Sequence, residues 1–278
     1  MEWQFASPAP SLAPFLGSYY LATTHHLTVD DLQRADTGHL HFFLEGGGYK
    51  DFPGIRRQAN LVSLSGPSSL YQGYALNGPA RLFGISLLPP AWDGFVPCTA
   101  DSLSDRGCNA VELFGPSVID LHHALRTCET LAQMAPMADA FIQQRSQSRT
   151  KGHDRIIEGI RDWLARALAP DLADLQDRFD LSDRQLARIA NRYWGAPPKS
   201  LARKYAALRT ASLIITQNGD LPPEALRHYA DQSHLIREVK RVTGQTPRQL
   251  RTQASPTLRK ALHPSNLWEL HDRGCNSD

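Results

Sequence analysis

This sequence has few cysteines, no positive charge near its start and no long hydrophobic run. Four cysteines occur in 278 residues, without the paired spacing of a disulfide framework or a zinc ribbon, which suits the reducing cytoplasm. No stretch approaches the roughly 20 consecutive apolar residues that span a membrane. The first twenty residues contain no Lys or Arg, so we expect no secretory signal peptide. These absences predict a cytoplasmic protein without membrane contact.

Motifs that carry catalysis are also missing. The chain has no Gly-x-Ser-x-Gly, no phosphate loop and no Cys–His constellation. His39 and His41 would point to the same side of a strand, as in a cupin metal site, but residues 60–90 contain no partner histidine. Chance alternation is the preferred interpretation of this pair. We therefore expect no catalytic residue, no metal and no cofactor.

Charge is distributed unevenly along the chain. Residues 1–150 hold 9 Lys and Arg against 13 Asp and Glu, whereas residues 151–278 hold 21 against 15. Within residues 181–251 the counts are 13 and 5. A basic segment of this kind indicates either a polyanion partner or a solvated helical surface, and charge alone leaves both open.

The pattern of apolar runs and turn residues along the sequence predicts an α+β protein of two domains. Between residues 10 and 100, short apolar runs such as FLGSYYLAT and HLHFFLEG alternate with glycine and proline turns, which is typical of a β-sandwich or small barrel. Helical spacing follows in residues 118–145. The predicted divisions are a β-rich domain with closing helices, a polar linker, an all-helical domain and a loosely packed tail, at residues 1–145, 146–152, 153–252 and 253–278.

Two segments of the helical domain predict helix-turn-helix units. In the first, a helix from Leu172 to Phe179 leads through Asp180-Leu181 to an N-cap at Ser182, and the second helix ends at Gly195. In residues 221–251, a helix from Pro223 to His228 precedes an N-cap at Asp231, and Gly244 ends the next helix. Both second helices have an apolar back and a front rich in Arg and Gln. Ordinary surface helices share that periodicity, so it does not decide the function.

The amino-acid sequences of these two segments resemble those of the AraC family of bacterial transcription regulators. DQSHLIREVKRVTGQTPRQLR is similar to the family signature, with matches at Asp231, Gln232, Ser233, His234, Arg237, Lys240, Arg241, Gly244, Thr246 and Pro247. LSDRQLARIANRYWGAPPKSLARK is similar to the first unit, with matches at Ser182, Arg184, Leu186, Arg188, Gly195, Pro198 and Lys199. The resemblance covers about one hundred residues and both motifs in the family's order, which favours DNA binding over a plain surface helix.

The resemblance implies two recognition helices that enter successive segments of the major groove. The base-reading residues that it implies are Arg184, Gln185, Arg188, Gln232, Ser233 and Arg237. The implied phosphate contacts are Ser182, Arg192, Lys199, Arg203, Lys240 and Arg241.

Two positions of the second unit depart from the family pattern. His228 stands at a turn where the family usually has glycine, which predicts another turn geometry or some strain. Pro222-Pro223 opens the preceding helix and predicts that it is short. Base reading by the second unit is therefore less firmly implied than base reading by the first.

Residues 8–24 and 80–95 look like the β-rich, cupin-like effector domain that precedes some AraC-type DNA-binding domains. Aromatic side chains in this region would line an effector cavity or fill the domain core. The residues predicted for the cavity are Tyr19, Tyr20, Phe42, Tyr71, Tyr74 and Trp92.

The sequence as a whole predicts a DNA-binding transcription regulator that is not an enzyme. Its expected partners are double-stranded promoter or operator DNA, a small-molecule effector, a second copy of the chain and, for an activator, RNA polymerase. Two alternatives stay open: a cupin-type metal-dependent enzyme with a helical appendage, and a helical adaptor that binds an acidic protein.

Overall fold

A computed structural model describes residues 1–146, 153–166, 170–217 and 221–270. Its N-terminal part is an eight-stranded antiparallel sheet, ordered β1-β2-β7-β4-β6-β8, with β3 paired to β7 and β5 paired to β4. The long strands β4 and β7 pair with each other at the centre of the sheet. The strands are β1 (Glu2–Ala6), β2 (Leu16–Thr24), β3 (Thr28–Gln33), β4 (Gly38–Phe52), β5 (Ile55–Gln58), β6 (Val62–Ser65), β7 (Gln72–Leu87) and β8 (Gly107–Asn109).

Alternation of side chains gives the sheet two different faces. Leu40, Phe42, Phe83 and Ile85 lie on one face and form the main core of the domain together with the helices that follow the sheet. These helices are α1 (Ala91–Gly94), α2 (Val111–Phe114), α3 (Ser117–Arg126) and α4 (Leu131–Arg145). The opposite face lines a cavity to which residues of all eight strands contribute, so the sheet curls into a barrel-like shape.

The second part of the chain is helical and has a core of its own. Within the described residues its helices are α5 (Asp154–Arg166), α6 (Leu172–Phe179), α7 (Asp183–Trp194), α8 (Pro198–Thr216), α9 (Pro223–Leu226), α10 (Gln232–Thr243), α11 (Pro247–Gln253) and α12 (Pro256–Ala261). Helix α8, which is 19 residues long, joins the α6–α7 pair to the α9–α10 pair and packs against α10. The predicted combination of a β-rich domain and a helical domain with two helix-turn-helix units is confirmed.

The segment after α11 is packed, so the expectation of a loose tail is wrong for residues 254–270. Leu258, Leu262 and Leu267 are buried. The guanidinium of Arg34, which follows β3, donates from Nε to the carbonyl of Ala261 at 3.0 Å and pairs with Glu269 at 3.2 Å. The reason is long-range pairing that local sequence cannot reveal. Residues 147–152 of the expected linker and residues 271–278 of the expected tail lie outside the described residues.

Of the helices in the described part of the chain, none has the length and apolar composition needed to cross a bilayer.

Candidate DNA-binding surface and effector cavity

Helix α7 has the caps that its sequence predicts. The backbone N–H of Ser182 donates to Gln185 Oε1 at 3.0 Å, and the Ser182 hydroxyl accepts from the Gln185 N–H at 3.4 Å. Gly195 ends the helix in the left-handed conformation, with φ of 76°. Arg184 and Arg188 are exposed on the face opposite the core. Of the three base-reading residues expected here, the two arginines are free of the cap, whereas Gln185 is engaged in it.

Helix α10 repeats this design with a different cap. Asp231 Oδ1 accepts from the backbone N–H of His234 at 2.7 Å, and Gly244 ends the helix with φ of 77°. The three side chains expected to read bases, those of Gln232, Ser233 and Arg237, are all exposed.

The turn between α9 and α10 differs from the strained turn considered above. His228 is not among the residues with positive φ, so its backbone does not adopt the left-handed conformation there. Helix α9 spans only four residues, as the two prolines at its start predicted. In the first unit the left-handed position is Asp180, which ends α6 with φ of 52°.

The residues expected to contact phosphate fall into three groups. Lys199 and Lys240 are exposed, whereas Ser182 serves as an N-cap and Arg192 is partly buried beside the ring of Tyr193. The other two, Arg203 and Arg241, pair with Glu238 at 2.9 and 3.1 Å.

Arg241 has a position that the sequence did not predict. It is mostly buried and donates from Nη1 to the carbonyl of Ser69, in the β domain, at 2.7 Å. Its neighbour Glu238 is a buried acid of α10 that holds the guanidinium in that direction. In this arrangement Arg241 therefore joins the two domains and is not part of the exposed basic surface.

Helices α7 and α10 both end against the β domain. Gly195 lies beside Pro67 and Ser104, and the Ser104 hydroxyl donates to the Gly195 carbonyl at 2.6 Å. Gly244 lies beside Leu32 and Tyr71. At each place glycine also leaves room for the neighbouring domain, because a Cβ atom would collide with it. We call this region of contact the seam.

A cavity of about 400 Å³ occupies the inside of the curled sheet. Its wall is largely apolar and includes Trp3, Phe43 and Leu82. The packed C-terminal segment closes one side through Thr257, Lys260, Ala261, Asn266 and Trp268. Cavities of this size that combine apolar walls with a few polar groups are the usual form of small-molecule sites.

Four polar side chains of the cavity form a cluster that we call the floor, made of Tyr20, His39, His41 and Lys50. The Tyr20 hydroxyl lies 3.1 Å from His39 Nδ1 and 2.7 Å from His41 Nε2, so it donates to one ring and accepts from the other. Burial lowers the pKa of His41 well below its usual value, and Lys50 and His39 add to this. Burial also lowers the pKa of Lys50 to about 8. The Lys50 ammonium donates to Ser65 Oγ at 3.2 Å.

Only part of the predicted effector pocket lines this cavity. Tyr20 and Tyr74 do so, whereas Tyr19, Phe42 and Trp92 belong to the main core and Tyr71 is at the seam. The physical reason is strand alternation, which sends neighbouring side chains such as Tyr19 and Tyr20 to opposite faces. Sequence reasoning also missed Lys50 as a floor residue. Besides the predicted Tyr20, the sequence signal for the floor was the spacing of His39 and His41.

His39 and His41 do share one side of β4, and their rings stack at 5.5 Å. Among the described residues, however, no group of three or more His, Cys, Asp and Glu side chains is placed to hold a metal ion. The pair acts here as a hydrogen-bonding platform around the Tyr20 hydroxyl.

Fold and site together define a two-domain protein, in which a β-rich domain with an internal cavity is docked on a helical domain with two helix-turn-helix units. No family model and no curated protein sequence matches the chain. Among solved structures it is similar to ToxT of Vibrio cholerae O395, at 10% identity and a TM-score of 0.42, over 82% of this chain and 99% of that one.

Two further ToxT structures contain a ligand. One, bound to (E)-4-(8-methylnaphthalen-1-yl)but-3-enoic acid, has 10% identity and a TM-score of 0.45, over 90% of this chain and 98% of that one. The other, from V. cholerae strain SCE256 and bound to an unsaturated fatty acid, has 8% identity and a TM-score of 0.39, over 84% and 93% of the two chains. Likeness at this distance supports no conclusion about the ligand or function of the present chain.

Proposed function

We propose that this chain is a sequence-specific DNA-binding transcription regulator of the AraC type, controlled by a small molecule that binds in the β domain. The observation that carries the proposal is the pair of capped helices α7 and α10, which share a signature with that family and expose their amino-terminal Arg, Gln and Ser side chains. The amino-terminal residues of recognition helices are those that reach base edges in the major groove.

Binding-site selection from a random DNA pool with the full-length chain tests this proposal. Arg188→Ala should then weaken binding to the selected site by about 1–3 kcal/mol and relax the preference at one position, because a bidentate contact to guanine is lost. Arg155→Ala is the matched control, since Arg155 is exposed on α5, outside both units. Equal affinities of the two variants for the selected site would remove Arg188 from the base-reading set.

Salt dependence distinguishes the regulator from the helical adaptor. A protein that contacts six or more phosphates loses about three orders of magnitude in DNA affinity between 50 and 200 mM salt. We expect a steep loss for this chain, measured by fluorescence anisotropy with a labelled duplex. Absence of DNA binding at low salt would favour the adaptor.

The cavity supports the effector part of the proposal. Its apolar wall suits a hydrocarbon or aromatic body, and the floor offers N–H and O–H donors to an acceptor group. A thermal-shift screen of small molecules should therefore find stabilisers whose effect is lost in Lys50→Met but kept in the control Arg56→Met, because Arg56 is exposed on β5 and does not line the cavity. Metal analysis of the purified protein distinguishes the proposed regulator from the alternative of a cupin-type metal-dependent enzyme, because such an enzyme would carry stoichiometric metal.

A further inference from the structure

Asp36, in the loop between β3 and β4, contacts the cavity floor and the helical domain at once. Its carboxylate Oδ2 lies 3.4 Å from Nε2 of the floor residue His39. Its backbone carbonyl accepts from the Lys204 ammonium of α8 at 2.8 Å. Burial would raise the pKa of Asp36, but Arg34 and His39 outweigh it and hold the pKa well below the usual value. Asp36 is therefore a charged partner for His39.

The same loop grips the carboxyl end of α10. The backbone N–H of Ala35 donates to the Val242 carbonyl at 2.7 Å, and the N–H of Tyr71 donates to the Arg241 carbonyl at 3.0 Å. These carbonyls are among the last four of the helix, which have no partner within it. Two loops of the β domain thus supply the hydrogen bonds that the end of α10 lacks.

Asp36 also ties those two loops to each other. The backbone N–H of Asp36 donates to Ser68 Oγ at 2.9 Å, and the N–H of Ser68 donates to the Asp36 carbonyl at 3.0 Å. A shift of Asp36 would therefore move both loops that hold α10. A ligand that accepts a hydrogen bond from His39 competes with the Asp36 carboxylate for that ring.

We infer that Asp36 is a positioning residue, which couples occupancy of the cavity floor to the grip of the β domain on the second recognition helix. Loss of the His39 contact, by substitution or by a competing ligand, loosens the grip on α10. The inference gives the proposed effector a route to the proposed DNA-binding helix, and in that sense it rests on the proposed function. The contacts themselves are defined without DNA or ligand, so they can be tested without either.

Hydrogen exchange of the full-length chain, followed by mass spectrometry, reads this grip directly at the amides of Ala35 and Tyr71. In His39→Phe these amides should exchange about tenfold faster or more, because the contact of His39 Nε2 with the Asp36 carboxylate is lost. The matched control is His41→Phe, which removes the other imidazole on the Tyr20 hydroxyl but no contact with Asp36. Amides in the β2–β7 pairing should be unchanged in both variants.

A conservative variant separates positioning from mere packing. His39→Gln retains an N–H donor toward Asp36 and should restore slow exchange at Ala35 and Tyr71, at least in part. It also serves as the test variant if His39→Phe does not fold, in comparison with His39→Leu. Equal exchange at these amides in His39→Phe and His41→Phe, or faster exchange throughout the sheet, would overturn the inference. Because the exchange experiment contains no DNA, its failure would leave the proposed function standing. Conversely, if the expected exchange is found but the chain does not bind DNA, only the proposed function is refuted.

Discussion

Arg34→Met is a sharp test of how the C-terminal segment is held on the β domain. The guanidinium of Arg34 is 2% exposed and pairs with Asp36 at 3.0 Å and with Glu269 at 3.2 Å. It also donates to the carbonyls of Ala261 and Asn266 at 3.0 and 3.2 Å. Met fills a similar volume but leaves both carboxylates and both carbonyls without this donor.

The expected cost is large because the charges are buried. Removal of one partner from a buried, hydrogen-bonded ion pair typically costs about 3–5 kcal/mol, since the remaining charge stays desolvated. Arg34→Met should lower the free energy of unfolding by about that amount in urea or guanidinium titrations. Arg56→Met is the matched control. It removes a pair with Asp51 whose side chains are 54% and 37% exposed, and exposed pairs of this kind contribute little to stability because water screens them.

A double substitution tests whether Arg34 acts through Glu269. If it does, Arg34→Met combined with Glu269→Met should cost clearly less than the two single changes together, because neither charge is then left alone. Equal losses of stability in Arg34→Met and Arg56→Met would refute the reasoning. So would strict additivity of Arg34→Met and Glu269→Met.

Two more predictions concern the helical domain. Asp180→Gly should raise the free energy of unfolding by about 0.5–1 kcal/mol, because the left-handed position strains any residue with a Cβ, and an equal or lower stability would contradict this. For Lys204, burial lowers the pKa to about 8 in the folded chain, while the unfolded side chain keeps its proton to about 10.5. The unfolded state then binds more protons between pH 8 and 10.5, so this group makes stability rise with pH across that window. Relative to Lys204→Met, the free energy of unfolding of the wild type should rise by at most about 3 kcal/mol from pH 8 to pH 10.5. Parallel curves of stability against pH for the two proteins would contradict the lowered pKa of Lys204.

Features fixed by neighbouring residues were open to prediction from sequence. Helix α6 begins and ends where the pattern placed it, because Asp171 caps its start and Asp180 takes the left-handed position at its end. Gly195 and Gly244 end α7 and α10 for the same local reason. Local hydrogen bonding and backbone preference act within a few residues, so a single sequence suffices to read them.

Features formed by contacts between distant residues could not be predicted from the sequence. The pairing of Arg34 with Glu269 joins positions that lie at opposite ends of the chain, and nothing near either residue signals it. The division of Tyr19 and Tyr20 between core and cavity depends on which face of β2 the sheet curls around, which is a tertiary property. Glu238 turns Arg241 to the seam, whereas the family resemblance implied that this arginine contacts phosphate.

The two ends of α7 and of α10 have different surroundings, and this separation bears on the proposed control. The amino-terminal side chains of α7 and α10 are exposed, while the carboxyl-terminal glycines contact the β domain. In the proposed regulator, the β domain therefore does not need to cover the expected base-reading residues in order to influence them. Two helices must fit successive turns of one duplex at the same time, so a small change in the direction of α10 relative to α7 alters the fit of both. The proposed control at the seam thus requires only a change in the grip on α10, without the domains coming apart.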